Sequence, residues 1–196
     1  MSQNNLTLSE LKQQYSNCNL CQELCDNRIQ VVFGSGKENS TVIFIGEASG
    51  ASEDKQGIPF CGASGKVLQD LLATIGLTRG DVFITNTVIC RPPNNRNPKK
   101  EEIENCRDRL DKTIQIIQPK VIVTVGNFAT QRITGKIGIT KLRGNILEVT
   151  FNSQIYKVVP VVHPASLLYN GRNSVIFDQM KKDFQTIKKV IEESII

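Results

Sequence analysis

The sequence predicts an α/β protein built on a mostly parallel sheet. Two observations carry that expectation. Short β-rich apolar runs, "TVIFIGE" (41–47), "DVFITNTVIC" (81–90) and "KVIVTVG" (120–126), alternate with segments whose apolar residues recur at helical spacing. Three segments of odd composition then fall after such strands: the glycine-rich stretch 46–66, Asn86 with its downstream loop, and His163 with "PASLL". In open α/β sheets that is where ligands sit, beyond the carboxyl ends of the strands.

The elements follow in order. Residues 7–26 read as one helix, with Thr7 or Ser9 as N-cap before Leu8, Leu11 and Tyr15. After the strand 41–47, residues 64–76 place Val67, Leu68, Leu71, Leu72 and Ile75 on one helical face. The strand 81–90 breaks at "RPPNNRNP", a loop by composition. A helix opens after Pro98 and runs to Gln118, where Pro119 stops it. The strand 120–126 leads into a short helix ending near Thr134. "NILEVTF" and "IYKVVPVV" read as two further strands, forming either a hairpin or an edge-to-centre pair, and "HPASLLYN" as a loop. Residues 173–194 carry Val175, Ile176, Met180, Phe184, Ile187, Val190 and Ile191 on one face and close the chain as a helix.

Composition narrows the class. At 196 residues, with 39% hydrophobic and 22% charged residues, the chain fits one globular domain, 1–196, without repeats or linkers. Neither an apolar run of roughly 18 residues nor a basic-then-apolar leader is seen, so the expectation is a cytoplasmic protein without membrane contact. The net charge of +5 permits nucleic acid without demanding it. Any imidazole chemistry falls to His163, the one histidine.

The six cysteines do not read as a disulfide framework in a reducing compartment. Cys18 and Cys21 form C-x2-C, able to chelate one centre from a single turn of chain. Cys90 ends a strand and Cys106 lies in the next helix. Four thiolates suit zinc or an iron–sulfur cluster, and spacing does not choose between them. Cys25 ranks fifth, and Cys61 reads as a buried small hydrophobe.

Three motifs are excluded. "GASGK" resembles a phosphate loop, but a Walker A pattern would need glycine where Phe60 stands and Ser or Thr where Val67 stands. The dinucleotide spacing G-x-G-x-x-G and the nucleophile elbow G-x-S-x-G are also missing. What remains suits a flat polar ring. Phe60, after Pro59, offers a π-face, Asn86 offers a donor beside an acceptor, and His163 offers an imidazole. Singly these read as a loop anchor, a turn asparagine and a structural histidine; at one sheet end they read as a site.

The pieces "CNLC", "QVVFGSG", "GEASG..ED..G.PFCG.SG", "ITNTVICRPPNNRNP", "EEIENC", "ITKLRG" and "VVHPASLL" run in order from Cys18 to about Leu168. Together they resemble the family 4 uracil-DNA glycosylases, the iron–sulfur type found in many bacteria and archaea. The resemblance implies a three-layer α/β/α fold and a monofunctional DNA repair hydrolase that flips uracil out of DNA and leaves an abasic site. It implies a 4Fe-4S cluster on Cys18, Cys21, Cys90 and Cys106. Phe60 would stack on the uracil and Asn86 would read its O4 and N3 edge. The backbone at Glu47 and Ala48 would reach the base, and His163 would meet O2. Leu167, beside Ser166, is similar to the family's intercalating wedge. Arg91, Arg96, Lys99, Lys100, Lys141, Arg143 and Arg172 fall near the expected mouth as phosphate contacts. The partner would be uracil-containing DNA, single- or double-stranded, met by a monomer at the nucleoid of a prokaryotic cytoplasm.

Water activation is the thin part of that carry-over, because Ala48 stands where better-known uracil glycosylases carry aspartate. Glu53 is the first candidate base and Glu47 the second. Three further departures are Ser49 for a proline, Cys61 for a common valine, and the additional Cys25. Two other readings use the same pieces: a glycosylase of broader deaminated-base range, and a non-catalytic module that binds uracil-DNA.

Overall fold

The computed structural model describes residues 6–151, 153–171 and 173–194. In chain order the elements are α1 (Leu8–Tyr15), α2 (Gln22–Asn27), β1 (Ser35–Gly36), β2 (Val42–Ala48), α3 (Ala51–Gln56), α4 (Ala63–Ala73) and β3 (Phe83–Val88). Then come α5 (Lys100–Asn105), α6 (Arg107–Ile117), β4 (Val121–Val125), α7 (Asn127–Thr134), α8 (Ile139–Leu142), β5 (Leu147–Phe151), β6 (Gln154–Val161), α9 (Ala165–Tyr169) and α10 (Ser174–Glu193).

The sheet order is β1-β3-β2-β4-β6-β5. The four inner strands are parallel; β1 and β5 pair antiparallel at the two edges. Inner strands covered on both faces need continuous apolar runs, and every residue of β3 and β4 is buried. The β5–β6 pair is a hairpin whose inner member joins β4, so it satisfies both sequence readings at once.

Two cores result, one per face, giving the α/β/α layering. Phe44, Leu68, Leu72, Ile84, Val123, Val159, Phe184 and Ile187 pack α4 and α10 on one face. Leu11, Ile43, Ile45, Leu110, Ile114, Ile122 and Val158 pack α1 and α6 on the other. Strand alternation does this sorting: Phe44 and Ile43 are neighbours in sequence and belong to opposite cores.

Two expected helices are each broken. The helix expected over 7–26 is α1 and α2, with Cys18 to Cys21 between them. The Thr7 reading of its start is right: Thr7 and Glu10 form a reciprocal capping box, the Glu10 N–H donating to Thr7 Oγ1 at 3.2 Å and the Thr7 N–H to Glu10 Oε2 at 2.8 Å. The helix expected from Pro98 to Gln118 is α5 and α6, meeting at Cys106, whose ψ of -1° lies outside the helical range. Both breaks fall at cysteines. The segment read as the loop 163–170 is the short helix α9, started by the turn at His163-Pro164.

Candidate active site

A cavity of about 260 Å³ opens at the carboxyl ends of β2 and β3 and is lined by Ala48, Gly50, Glu53, Phe60, Ser64, Asn86, Asn95, His163, Ala165 and Tyr169. It brings together the three segments of odd composition. A larger cavity of about 630 Å³ lies behind the same loop and shares Phe60, but is otherwise lined by Ile58, Cys61, Lys66, Arg79 and neighbours. Size does not choose between them. The smaller one gathers an imidazole, a carboxylate, an amide and an aromatic ring, so it is where chemistry can occur.

The floor is set by register. Asn86 pairs directly with Gly46 on the adjacent strand. A Cβ at Gly46 would stand 2.3 Å from Asn86 Oδ1 and 2.7 Å from the Phe60 ring. Glycine here makes room for the amide and the ring to share one wall. Asn86 gives its backbone carbonyl to Arg109 and presents its side chain to the cavity.

Phe60 is held in an unusual backbone state. Its φ of 51° is left-handed, costing about 1–2 kcal/mol for a non-glycine residue. Arg79 offsets that cost by donating Nη1–H to the Phe60 carbonyl at 2.8 Å and Nη2–H to the Pro59 carbonyl at 2.6 Å. The loop also needs Gly65, where a Cβ would come within 1.7 Å of the Phe60 carbonyl oxygen. So fixed, the Phe60 ring stacks beside His163, with centroids 5.7 Å apart and planes 28° apart.

His163 is oriented by its own helix. The Ala165 N–H donates to Nδ1 at 3.1 Å, which leaves Nε2 as the protonated nitrogen and a donor. Burial pushes the imidazole pKa below its ordinary value, while Glu53 pulls it back up by a smaller amount. A neutral ring with one free N–H results. Glu53, in the first turn of α3, accepts the Gly62 N–H at 3.2 Å and keeps its carboxylate in the cavity.

The structure does not bring every predicted residue to this cavity. Glu47 points to the opposite face from Ala48, as strand alternation requires, and does not line it; burial pushes its carboxyl pKa up. Leu167, expected as the wedge, is 5% exposed and packs in the core beneath α9. The apolar side chain that α9 presents is Tyr169, 88% exposed at the cavity mouth. Ser166 caps its turn, its hydroxyl donating to the His163 carbonyl at 2.8 Å. Arg143 pairs with Asp183 at 2.9 Å and with Gln179. Arg96 is likewise bound to Glu102, and Lys99 to Glu23. Arg91 reaches the mouth through Asn95, donating Nε–H to its side-chain oxygen at 2.8 Å. Lys141 is exposed on α8. Arg172 lies outside the described residues.

The cysteines converge near the same strand ends. Cys90 and Cys106 are buried with Leu24, Val88 and Ile89, and Cys21 packs against them. Arg28 joins two chain segments here, donating Nη1–H to Cys90 Sγ at 3.0 Å and Nη2–H to the Cys18 carbonyl. Asn105 donates to Cys21 Sγ at 3.3 Å. Burial pushes the Cys90 thiol up to about 12, against the pull of Arg28. Cys106 is raised by burial too, with Cys18 adding to the shift. Among the described residues no three His, Cys, Asp or Glu side chains are gathered in ion-holding geometry as they stand. The donor set nonetheless fits a thiolate-bound centre: Cys21, Cys90 and Cys106 share one cluster, and the Arg28 cation ties the Cys18 carbonyl to it. Cys25 stands apart, donating its thiol to the Cys18 carbonyl at 3.3 Å.

Comparison with known proteins places this geometry. A family model described as the uracil DNA glycosylase superfamily matches residues 33–191. The chain is 41% identical over 190 residues to the type-4 uracil-DNA glycosylase of Sulfurisphaera tokodaii, covering 94% of this chain and 84% of that protein. The chain belongs to the type-4 uracil-DNA glycosylase family. It is similarly 39% identical over 186 residues to the type-4 enzyme of Archaeoglobus fulgidus, covering 92% of each chain. With that of Thermotoga maritima it shares 41% over 168 residues, covering 83% of this chain and 86% of the other.

For a type-4 uracil-DNA glycosylase, sequence reasoning passed over three supports of the site. Gly46 could have been found from its place at the strand end. Arg79 and Arg109 left no trace, because what they hold is backbone carbonyl oxygen, which every residue has.

Proposed function

We propose that this chain excises uracil from DNA by hydrolysing its N-glycosidic bond, as the opening step of base excision repair. One observation carries the reading: Phe60, Asn86, His163 and Glu53 line one cavity at the sheet's carboxyl edge. A base stacked in a duplex cannot reach such a cavity, so it must be flipped, at a cost of a few kcal/mol that pocket contacts repay.

The roles follow from the geometry. Phe60 gives the base a face to stack on, and the Asn86 amide donates to O4 and accepts from N3–H. Cytosine reverses both of those groups and is rejected. As the bond breaks, its electron pair passes to uracil and negative charge grows on O2 and O4. The neutral His163 donates Nε2–H toward O2, where a preorganised donor is worth about 3 kcal/mol. Water adds to the sugar C1′ and its released proton leaves with the uracil or through Glu53. Glu53 is the base assigned to that water, since Ala48 has no carboxylate and Glu47 faces away.

Cys18, Cys21, Cys90 and Cys106 would hold a 4Fe-4S cluster, which when bound supplies a cross-link between the N-terminal segment and the ends of β3 and α5. No excision step passes through it. Arg91 and Lys141 are the phosphate contacts this reading retains, with Ser166 supporting the turn and Tyr169 taking the place expected of Leu167. Residues 1–196 act as one domain and as a monomer. Among the described residues no helix is long and apolar enough to cross a membrane; nucleoid DNA in a prokaryotic cytoplasm is the setting this reading implies.

The test is an end-labelled oligonucleotide carrying one uracil, incubated with the protein and then treated with alkali. Strand cleavage at the uracil is the expected result, with none at cytosine or thymine. An uncut strand after long incubation with excess protein overturns the reading, and stronger cleavage at hypoxanthine would favour the broader range. Glu53→Gln should slow single-turnover excision about 100-fold, within the usual contribution of a general base; an unchanged rate removes Glu53 from that role.

A further inference from the structure

Arg109, on α6, is fully buried at 0% exposure. A guanidinium so placed has lost its hydration, at an effective cost of several kcal/mol, and needs a reason to be there. Its hydrogen bonds all go to one short piece of β3. Nη1–H meets Thr85 Oγ1 at 3.1 Å, and Nη2–H meets the carbonyls of Asn86 at 2.6 Å and Thr87 at 3.0 Å. Phe33 lies 5.9 Å beneath the guanidinium and Nε has no partner. The cation thus holds the carbonyls of Asn86 and Thr87 and the Thr85 hydroxyl, from the face of the sheet opposite the cavity.

We propose that Arg109 is a positioning residue that fixes the carboxyl end of β3, and through it the direction in which the Asn86 amide reads the base. The argument is geometric. Asn86 is the last residue but two of β3; it pairs with Gly46, but the next pair, Glu47 with Thr87, is skipped before pairing resumes at Ala48 and Val88, so the ladder holds the strand less fully just beyond Asn86. A two-pronged grip on consecutive carbonyls at that point sets the peptide planes, and the Cα–Cβ direction of Asn86 follows from them. The amide occupies the space that the missing Gly46 side chain leaves, so a rotation of the strand end toward β2 brings Oδ1 closer to the Gly46 backbone.

Arg109 stands about one turn of α6 beyond Cys106. Cys90 is four residues beyond Asn86, and Ala48 both packs against the cysteine cluster and lines the cavity. Arg109 therefore lies between the proposed metal centre and the base-reading strand, tying the order of one to the other without touching substrate.

This inference rests on the reading of Asn86 as the uracil-binding amide, so its test measures uracil and not turnover alone. Arg109→Lys keeps the charge and loses the fork. Free uracil is used as a competitor of excision on the uracil oligonucleotide, alongside affinity for the same DNA carrying an abasic site. Arg109→Lys should weaken free-uracil inhibition roughly tenfold, about one charge-assisted hydrogen bond, while abasic-DNA affinity and iron per chain stay unchanged. Phe33→Leu removes only the ring beneath the guanidinium and should weaken uracil about twofold to threefold; it carries the test if the lysine variant does not fold. Unaltered uracil inhibition in the folded variants overturns the proposal, as does a loss of iron or DNA affinity in step with uracil. A wild-type protein that uracil does not inhibit would instead remove the reading of Asn86 beneath it.

Discussion

Asn86 and His163 show how little a residue's identity means without its partners. Asn86 is useful because Gly46 leaves it space and because its side chain, unlike its carbonyl, is free for a ligand. Replacing it with aspartate turns the donor proposed to meet O4 into an acceptor. Asn86→Asp should lower uracil excision by at least about 100-fold, as sites lose when a buried polar pair is mismatched, and should raise cytosine excision above its wild-type level. Single-turnover rates on matched uracil and cytosine oligonucleotides check both. His163 makes a pH prediction. Burial lowers its pKa, so the folded state holds the neutral ring and the unfolded state takes up the proton first. The stability associated with the neutral ring is therefore complete above about pH 6.5 and is lost as pH falls through the lower folded value. Excision should fall over the same acid range, because a proton on Nδ1 would confront the Ala165 N–H. His163→Gln keeps a donor that does not titrate, so its rate should be roughly tenfold or more below wild type but with a flatter acid limb. A pH–rate profile of both proteins reads this directly.

At the scale of elements, the loop from Gly57 to Gly62 is held from outside. Phe60 is in a left-handed backbone state that its own residue type disfavours, and Arg79 compensates through two carbonyls. Two charge-assisted bonds at about 1.5–3 kcal/mol each exceed a strain of about 1–2 kcal/mol, though Arg79 is half exposed and the lower figures apply. Arg79→Ala should therefore cost about 1–2 kcal/mol of stability and lower excision more than it lowers DNA affinity, because the stacking ring loses its fixed place. Denaturant unfolding and single-turnover kinetics separate the two effects. The broken helices obey related logic. A continuous helix over 7–26 would place Cys18 and Cys21 about one turn apart on a straight rod; ending α1 at Tyr15 lets both cysteines turn toward Cys90 and Cys106.

Across the whole molecule, the cysteine region joins three segments distant in sequence: α2 with the link that precedes it, the end of β3 and the α5–α6 junction. A cross-link there closes long loops and gains most from removing unfolded-state freedom. The purified protein should be brown with absorbance near about 400 nm. Cys106→Ser should lose that absorbance, bind less iron, and melt several degrees lower. A colourless, zinc-bearing wild-type protein would overturn the cluster assignment while leaving the cavity untouched.

The sequence by itself determined the layering and named most of the polar and aromatic side chains that line the candidate cavity. The runs of β2, β3 and β4 are apolar throughout because strands covered on both faces must be, and that signal is local enough to read. Phe60, Asn86, His163 and the four cysteines were legible because their residue types are scarce or chemically distinct, and because motifs hold them in order. Only the tertiary structure decided the rest. Whether Leu167 protrudes depends on how α9 is rolled against the core, which its neighbours in sequence do not encode. Whether Arg143 is free depends on Asp183, forty residues away, and whether Glu47 faces the cavity depends on the phase of one strand. Arg109 and Arg79 act through backbone carbonyls that every residue carries, so no pattern of side chains announces them. Contacts of that kind exist only once distant segments are packed together.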